Sequence, residues 1–270
     1  MSKQTDTQAL AKRRSGSLEI IPIEQHIVEI VSDSGEGAQK AGQSFGSISA
    51  RMGNGVWTVE IIPADIQPPP RTRESASGIR IRVGRDEVTN AGDTADVVVA
   101  FNEVAPYVRI EQEAYREGTL FLIESKWGSD GSSVIRENYE QALADFRSRG
   151  YRVMEIPMQE EIKKAAPDAR RGKNMWVLGL LCFLYRRDLQ VAEEQIRKIF
   201  QKKSQGVIDS NLVLLHAGHA WAAEHLTFQY ELTPQLGERE LVVMNGNEAL
   251  SFGIMAAGIE LIESVKRCGE

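Results

Sequence analysis

The sequence predicts an α/β fold: a mainly parallel sheet with helices on both faces, followed by an incomplete β–α unit towards the C-terminus. Three observations carry this. Short β-branched runs alternate with helical stretches along most of the chain. The runs at 97–101 (VVVAF) and 119–123 (TLFLI) are continuously apolar, as strands of a parallel sheet covered on both faces are. The run at 27–31 (IVEIV) passes directly into a glycine-rich turn and a small-residue segment, Ala38-Gln39-Lys40-Ala41-Gly42, suited to a helix packed tightly on a sheet.

Each element has its own reason. Residues 27–31 read as a buried strand from their β-branched content, and 39–52 as the helix that follows. A second strand covers 56–62 (VWTVEII). Pro63 and the triplet Pro68-Pro69-Pro70 then force an extended backbone and exclude helix. Residues 78–83 (GIRIRV) alternate, which predicts a half-buried strand. An amphipathic helix is expected over 133–149, stopped by Gly150, and a strand over 152–156. Helices are expected over 174–187, 191–202 and 211–225. Residues 228–240 read as a linker, 241–246 (LVVMNG) as a new strand and 248–263 as a new helix. One strand and one helix cannot bury their own sheet face, so 241–270 reads as the opening of a second domain.

Composition bounds the function. With 270 residues, 42% of them hydrophobic, the chain can bury one larger α/β domain plus an appendage. A net charge of −6 with 26% charged residues marks neither a general nucleic-acid binder nor a membrane-surface binder. Residues 1–18 read as a disordered tail; the basic Lys12-Arg13-Arg14 lacks the apolar core of a secretory signal. Cys182 and Cys268 are too few for a disulfide framework or a cysteine-rich cluster, and a cytoplasmic location is expected. The apolar run 175–185 is too short to span a bilayer and reads as a buried helix.

The turn Ser32-Asp33-Ser34-Gly35-Glu36-Gly37 is the main candidate site. A strand, a glycine turn and a helix N-terminus present free backbone N–H groups and a dipole that favours an anion. Ser32, Ser34, Gly35, Glu36 and Gly37 are the candidate contacts there. A dinucleotide reading needs GxGxxG, but Lys40 occupies the last glycine position, and the acidic Glu60 downstream lies mid-strand. A tight strand–helix connection without ligand is the plain alternative. Arg71 and Arg73 follow rigid prolines and suit a phosphate clamp or a solvated loop. Asn102 and Lys126 lie just past strands, where such sheets bind ligands; Asn102 also suits a cap for the next helix. Lys173 stands at a helix start where it could meet an anion, and Asn174 suits an N-cap. His216, His219 and His225 suit a surface or interface role better than a metal site. Trp57, Trp127, Trp176 and Trp221 read as core or subunit contacts rather than stacking platforms.

The glycine turn, the Pro-Pro-Pro-Arg segment, Phe101-Asn102-Glu103 and Gly172-Lys173-Asn174-Met175-Trp176 occur in an order that resembles the gamma domain of 2-oxoacid:ferredoxin oxidoreductases. Asn245-Gly246-Asn247-Glu248-Ala249-Leu250 resembles the start of that family's alpha domain, whose first helix opens on Gly-Asn-Glu-Ala. Gamma ahead of alpha is the order of 2-oxoglutarate:ferredoxin oxidoreductase (2-oxoglutarate synthase) alpha subunits. The resemblance implies a Rossmann-like gamma domain over 19–227 and coenzyme A contacts at the residues above. It implies oxidative decarboxylation of a 2-oxoacid, most of all 2-oxoglutarate, in a complex. Thiamine diphosphate, Mg and an iron–sulfur cluster would belong to the rest of the alpha subunit and the beta subunit, with electrons passing to ferredoxin. Partners that are nucleic acid or membrane are not implied, nor is activity of this chain alone. Two departures stand out. Ser34-Gly35-Glu36-Gly37 replaces the usual Gly-Gly-Gln-Gly, so a carboxylate faces any phosphate unless it points away. The Tyr-Pro-Ile-Thr-Pro motif of the alpha domain is absent after Gly258. A stand-alone nucleotide or acyl-CoA binding module, or an inactive fragment, is the alternative.

Overall fold

A computed structural model describes residues 18–63, 65, 68–166, 172–234, 242 and 244–259. The chain divides into two units, at Leu236/Gly237.

The first unit is built on a six-stranded sheet in the order β3-β4-β2-β5-β6-β7. Its strands are β2 (Gln25–Asp33), β3 (Gly55–Ile61), β4 (Ala76–Gly84), β5 (Ala95–Ala100), β6 (Tyr115–Glu124) and β7 (Arg152–Ile156). Strands β2, β5, β6 and β7 run parallel, with Val31 beside Ala100, Ala100 beside Ile123 and Ile123 beside Glu155. Only β4 is reversed, antiparallel to β2 and to β3. A short strand β1 (Glu19–Pro22) pairs in parallel with β8 (Phe228–Glu231) outside this sheet. Part of the expected linker is thus an ordered strand, anchored by burial of Phe228, Tyr230 and Leu232.

Helices cover both faces, as expected. On one face α1 (Ala38–Arg51), α5 (Lys173–Leu184), α6 (Leu189–Ile199) and α7 (Gln205–His225) pack over Val28, Ile30, Val97, Val99, Leu120 and Leu122. On the other, α2 (Ala105–Glu111) and α3 (Ser133–Ser148) pack over Ile27, Val31, Val98, Phe121 and Ile123. The odd and even residues of each strand therefore serve separate cores, the period-2 geometry of a strand buried on both sides. A short α4 (Met158–Ala165) follows β7. Neither α2 nor α4 was expected, nor were β1 and the 3₁₀ turn Ser125–Ser129.

The small-residue helix behaves as its composition demands. A Cβ at Gly42 would lie 2.8 Å from Ile81 Cδ1, so α1 sits on β4 closer than any larger residue allows. Strand β4 itself corrects an expectation: its alternation reads as half-buried, yet both faces are covered. Ile79, Ile81 and Val83 enter the α1 core, while Arg80 is buried on the opposite face. There Glu29 Oε1 accepts from Arg80 Nε at 2.6 Å and from Arg109 Nη2 at 2.7 Å. The polar phase of the pattern is thus an internal ion cluster, not a solvated face.

Helix α5 is apolar all round and almost wholly buried, as its sequence implies. It crosses α7 at a close point where Gly179 faces Leu215 and His219, and Gly218 faces Trp176 and Leu180. Trp176 and Trp221 are buried with rings 5.5 Å apart, whereas Trp57 is exposed on edge strand β3. Cys182 is buried; Cys268 lies outside the described residues. No helix among the described residues is long and apolar enough to cross a membrane.

The second unit has one described element, α8 (Gly246–Ala256). It opens with a capping box: Asn245 Oδ1 accepts from Glu248 N, and a Glu248 carboxylate oxygen accepts from Asn245 N, both at 2.9 Å. The Gly-Asn-Glu-Ala segment does begin a helix. The strand expected over 241–246 does not form where it is described: residues 242, 244 and 245 take no strand and Gly246 already opens α8, while 241 and 243 lie outside the described residues. The helix expected over 248–263 ends at Ala256.

Candidate functional site

The parallel strands deliver their carboxyl ends to one edge of the sheet, where ligands bind in folds of this class. At that edge β2 ends in Asp33, β5 leads to Asn102 and Glu103, and β6 ends in Glu124. Helix α5 brings Lys173 and Asn174 to the same place.

The glycine turn joins β2 to α1. Gly35 (φ 83°) and Gly37 (φ 92°) both adopt left-handed backbone, which explains glycine at each. Gly37 caps α1, and no side chain bonds its first N–H groups. A Cβ on Gly37 would lie 3.3 Å from Asn174 Nδ2, so Asn174 covers the turn. Asn174 is not the N-cap expected from sequence: α5 begins at Lys173, and Gly172 is its cap, without a side-chain bond. Ser34 and Gly35 are exposed. Ser32 is buried, and its hydroxyl donates to the Asp33 carbonyl at 2.8 Å.

Arg71 is fixed from several sides. It carries φ 59°, strained for a residue with a Cβ. Its backbone N–H donates to Asp33 Oδ2 at 3.0 Å, and Asp33 Oδ1 accepts from Ser75 Oγ at 2.6 Å. The guanidinium donates through both terminal nitrogens to the buried Glu103 carboxylate and lies 3.9 Å from the Trp127 ring centre. Trp127, whose Nε1 donates to the Phe101 carbonyl at 2.9 Å, also carries Lys126 Nζ at 3.9 Å. Trp127 thus packs against the second core, as the sequence reading expects, while its ring also carries two cations of the chain itself. Arg73 leaves this group: it pairs with Glu111 and sits 5.6 Å from the Tyr107 ring.

Burial first, then repulsion by Lys173, lowers the pKa of Lys126, while Glu124 and Glu36 oppose the shift. Burial raises Glu124, against the charges of Lys173 and Lys126. Glu124 accepts from Lys126 N at 3.1 Å and from Gln159 N at 2.9 Å, and so ties the 3₁₀ turn to α4. Lys173 is buried; its Nζ lies 4.8 Å from the Phe101 ring centre and 3.2 Å from Glu36 Oε1. Three cations, Arg71, Lys126 and Lys173, thus gather beside the glycine turn.

Asn102 is wholly buried. Its Oδ1 accepts from Val104 N and Ala105 N at 3.0 and 2.9 Å, in the turn that leads into α2, while its Nδ2 has no partner. Asp33, Glu103, Glu124 and Trp127 complete the site. Only folding reveals them, because each acts on a residue from a distant segment or on a backbone turn. The histidines disperse: His216 pairs with Glu193 at 3.0 Å, His219 packs on Phe183, and His225 stacks on Trp221. Among the described residues, no three-donor group could hold a metal ion.

Comparison with known proteins bears directly on this arrangement. The profile of the pyruvate ferredoxin/flavodoxin oxidoreductase family matches residues 28–221. The 2-oxoglutarate oxidoreductase subunit KorA of Mycobacterium tuberculosis is 30% identical over 246 residues, which are 87% of this chain and 37% of that protein. The 2-oxoglutarate:ferredoxin oxidoreductase of Magnetococcus marinus, solved with 2-oxoglutarate, coenzyme A and succinyl-CoA bound, matches with a TM-score of 0.69 and 25% identity. That match covers 88% of this chain and 38% of the other. The pyruvate oxidoreductase subunit PORC of Thermotoga maritima shares the fold at TM-score 0.51 and 20% identity, over 73% of this chain and 97% of its own. This chain spans little more than a third of the two 2-oxoglutarate enzymes' chains. On the profile match, across both cores and the site edge, the chain belongs to the pyruvate ferredoxin/flavodoxin oxidoreductase family.

Proposed function

We propose that this chain forms the coenzyme A-binding portion of a 2-oxoacid:ferredoxin oxidoreductase that acts on 2-oxoglutarate. The observation that carries the proposal is the cluster of Arg71, Lys126 and Lys173 around a glycine turn with uncapped helix N–H groups. Coenzyme A is a polyanion, and buried or stacked cations bind phosphates with little loss of side-chain entropy. Gly35 and Gly37 offer backbone N–H groups, Ser34 (its own N–H donated to the Ser75 carbonyl at 3.0 Å) offers an exposed hydroxyl, and Lys126 and Lys173 offer ammonium groups. Arg71 supplies a guanidinium already oriented by Glu103 and Trp127. Asn174 borders the turn, and Asn102, buried at the end of β5 with its Nδ2 unpaired, backs the same sheet edge. Glu36 lines the same site beside Lys173; Ser32 and Arg73 support the turn and the proline-rich loop. The binding of coenzyme A in the Magnetococcus enzyme supports this reading.

In this proposal, the gamma domain begins at residue 19 and includes β8 (Phe228–Glu231), the residues after β8 connect it, and 241–270 open the alpha domain. Thiamine diphosphate, Mg and the iron–sulfur cluster belong to the rest of the alpha subunit and the beta subunit. Together they supply decarboxylation and electron transfer to ferredoxin. This chain holds the acyl acceptor and packs against those partners in the cytoplasm.

Calorimetric titration of the full chain with coenzyme A tests the proposal. Binding is expected, and Lys126→Ala and Lys173→Met should each weaken it about tenfold, the loss of one charge-assisted contact. No binding by the unaltered chain, or equal affinity in both variants, would refute it.

A further inference from the structure

The three cations at the site are not equivalent in how they are neutralised. Arg71 is held by Glu103, whose side chain is 2% exposed and which accepts from both terminal guanidinium nitrogens. Lys126 lies beside Glu124, a buried carboxylate fixed by two backbone N–H donors. Those two acids are built into the framework and cannot leave without breaking the caps or fork they form.

Glu36 differs. It belongs to the exposed glycine turn, and its side chain is 30% exposed. Its Oε1 lies 3.2 Å from Lys173 Nζ, and its Oε2 accepts from Asp33 N at a long 3.4 Å. Lys173, by contrast, is 8% exposed and sits against the Phe101 ring. A buried ammonium needs an anion, and the only carboxylate within ion-pair distance of it, among the described residues, is the partly exposed Glu36.

We propose that the Glu36 carboxylate is an internal occupant of the anion site, which a phosphate of the incoming ligand displaces from Lys173. The proposal rests on the coenzyme A reading above and adds how that site is regulated. With no ligand, Glu36 neutralises Lys173 and keeps it folded against the turn. On binding, one anion replaces another, so the ligand gains only the difference between its phosphate and the carboxylate. Rotation of Glu36 into solvent is open to it because the turn carries it at the surface. The residue thereby sets the affinity of the site without belonging to its binding surface in the bound form.

The test is a titration of the full chain with coenzyme A in four forms: unaltered, Glu36→Gln, Lys173→Met and the double variant. Glutamine keeps the size and hydrogen-bonding reach of Glu36 but removes the competing charge. Glu36→Gln should bind about tenfold tighter, and that gain should vanish when Lys173 is already methionine. Binding by the unaltered chain with no gain in Glu36→Gln overturns the exchange and leaves the coenzyme A site standing. An equal gain with and without Lys173 also overturns it, since it shows a general field effect. Failure of both the unaltered chain and Glu36→Gln to bind overturns the site and the exchange together.

Discussion

Replacing Gly218 by alanine probes the contact that positions the site most indirectly. Gly218 lies on α7 where that helix crosses α5, and a Cβ there would run into the Trp176 carbonyl oxygen and sit 2.8 Å from that carbonyl's carbon and 3.2 Å from Leu180 N. Favourable carbon contacts lie at about 3.5–4.0 Å, so α5 must retreat by about 0.7 Å or more. Both obstacles are backbone, and no rotamer change relieves them. Overpacking of this kind costs about 3 kcal/mol, and alanine returns about 1 kcal/mol of helix propensity. The net loss of about 2 kcal/mol should lower the melting midpoint by roughly 4–8 °C in a unit of this size. Gly206→Ala, on the same helix with nothing within 4 Å, is the control and should melt no lower than the unaltered chain. The assay is thermal unfolding followed by circular dichroism, with coenzyme A titration of the same samples. Because α5 begins with Lys173 and Asn174, its retreat should also weaken binding. A Gly218→Ala chain that melts within about 1 °C of the unaltered one would refute the close helix crossing.

Two further outcomes follow from buried polar groups. Glu29→Ala removes the shared partner of Arg80 and Arg109 inside the second core. It should lower the unfolding free energy by about 3–5 kcal/mol in a urea titration, and a loss below about 1 kcal/mol would contradict the ion cluster. His26 sits against Tyr185 and Tyr230, with Nδ1 3.1 Å from the Tyr185 hydroxyl. Burial lowers its pKa, helped by Arg116 and opposed by Asp96. The folded state therefore favours the neutral ring, and this stability is present above the ordinary histidine value and lost as pH falls below it. Melting midpoints compared between about pH 7.5 and 5 should fall more for the unaltered chain than for His26→Gln. Parallel curves would sink the argument.

Much of the fold was legible in the chain itself. Strands β2, β5, β6 and β7 announce themselves because β-branched and apolar runs suit positions covered on both faces, and β7 was placed residue for residue. Helices α1, α3, α5, α6 and α7 show their periodicity or continuous apolarity over enough turns to be read. Helices α2 and α4 did not, since seven and eight residues with only two buried apolar or proline positions each carry no period. Strands β1 and β8 were hidden for another reason: each is four residues long and gains its order from the other, across most of the chain.

The division is sharpest at the site. The turn 32–37 is contiguous, and left-handed backbone at Gly35 and Gly37 is a local demand, so the sequence alone determined that a glycine turn would open α1. Local chemistry likewise marked Arg71, Lys126 and Lys173 as cations near element ends. Tertiary structure alone decided which of them meet. Arg71 turns to Glu103 and Trp127 while Arg73, two residues away, turns to Glu111. Asn174 moved from helix cap to cover for Gly37, and Glu36 found Lys173 across 137 positions of chain. Propensity and periodicity act over a few residues, whereas an ion pair depends on where the sheet sets two distant ends side by side.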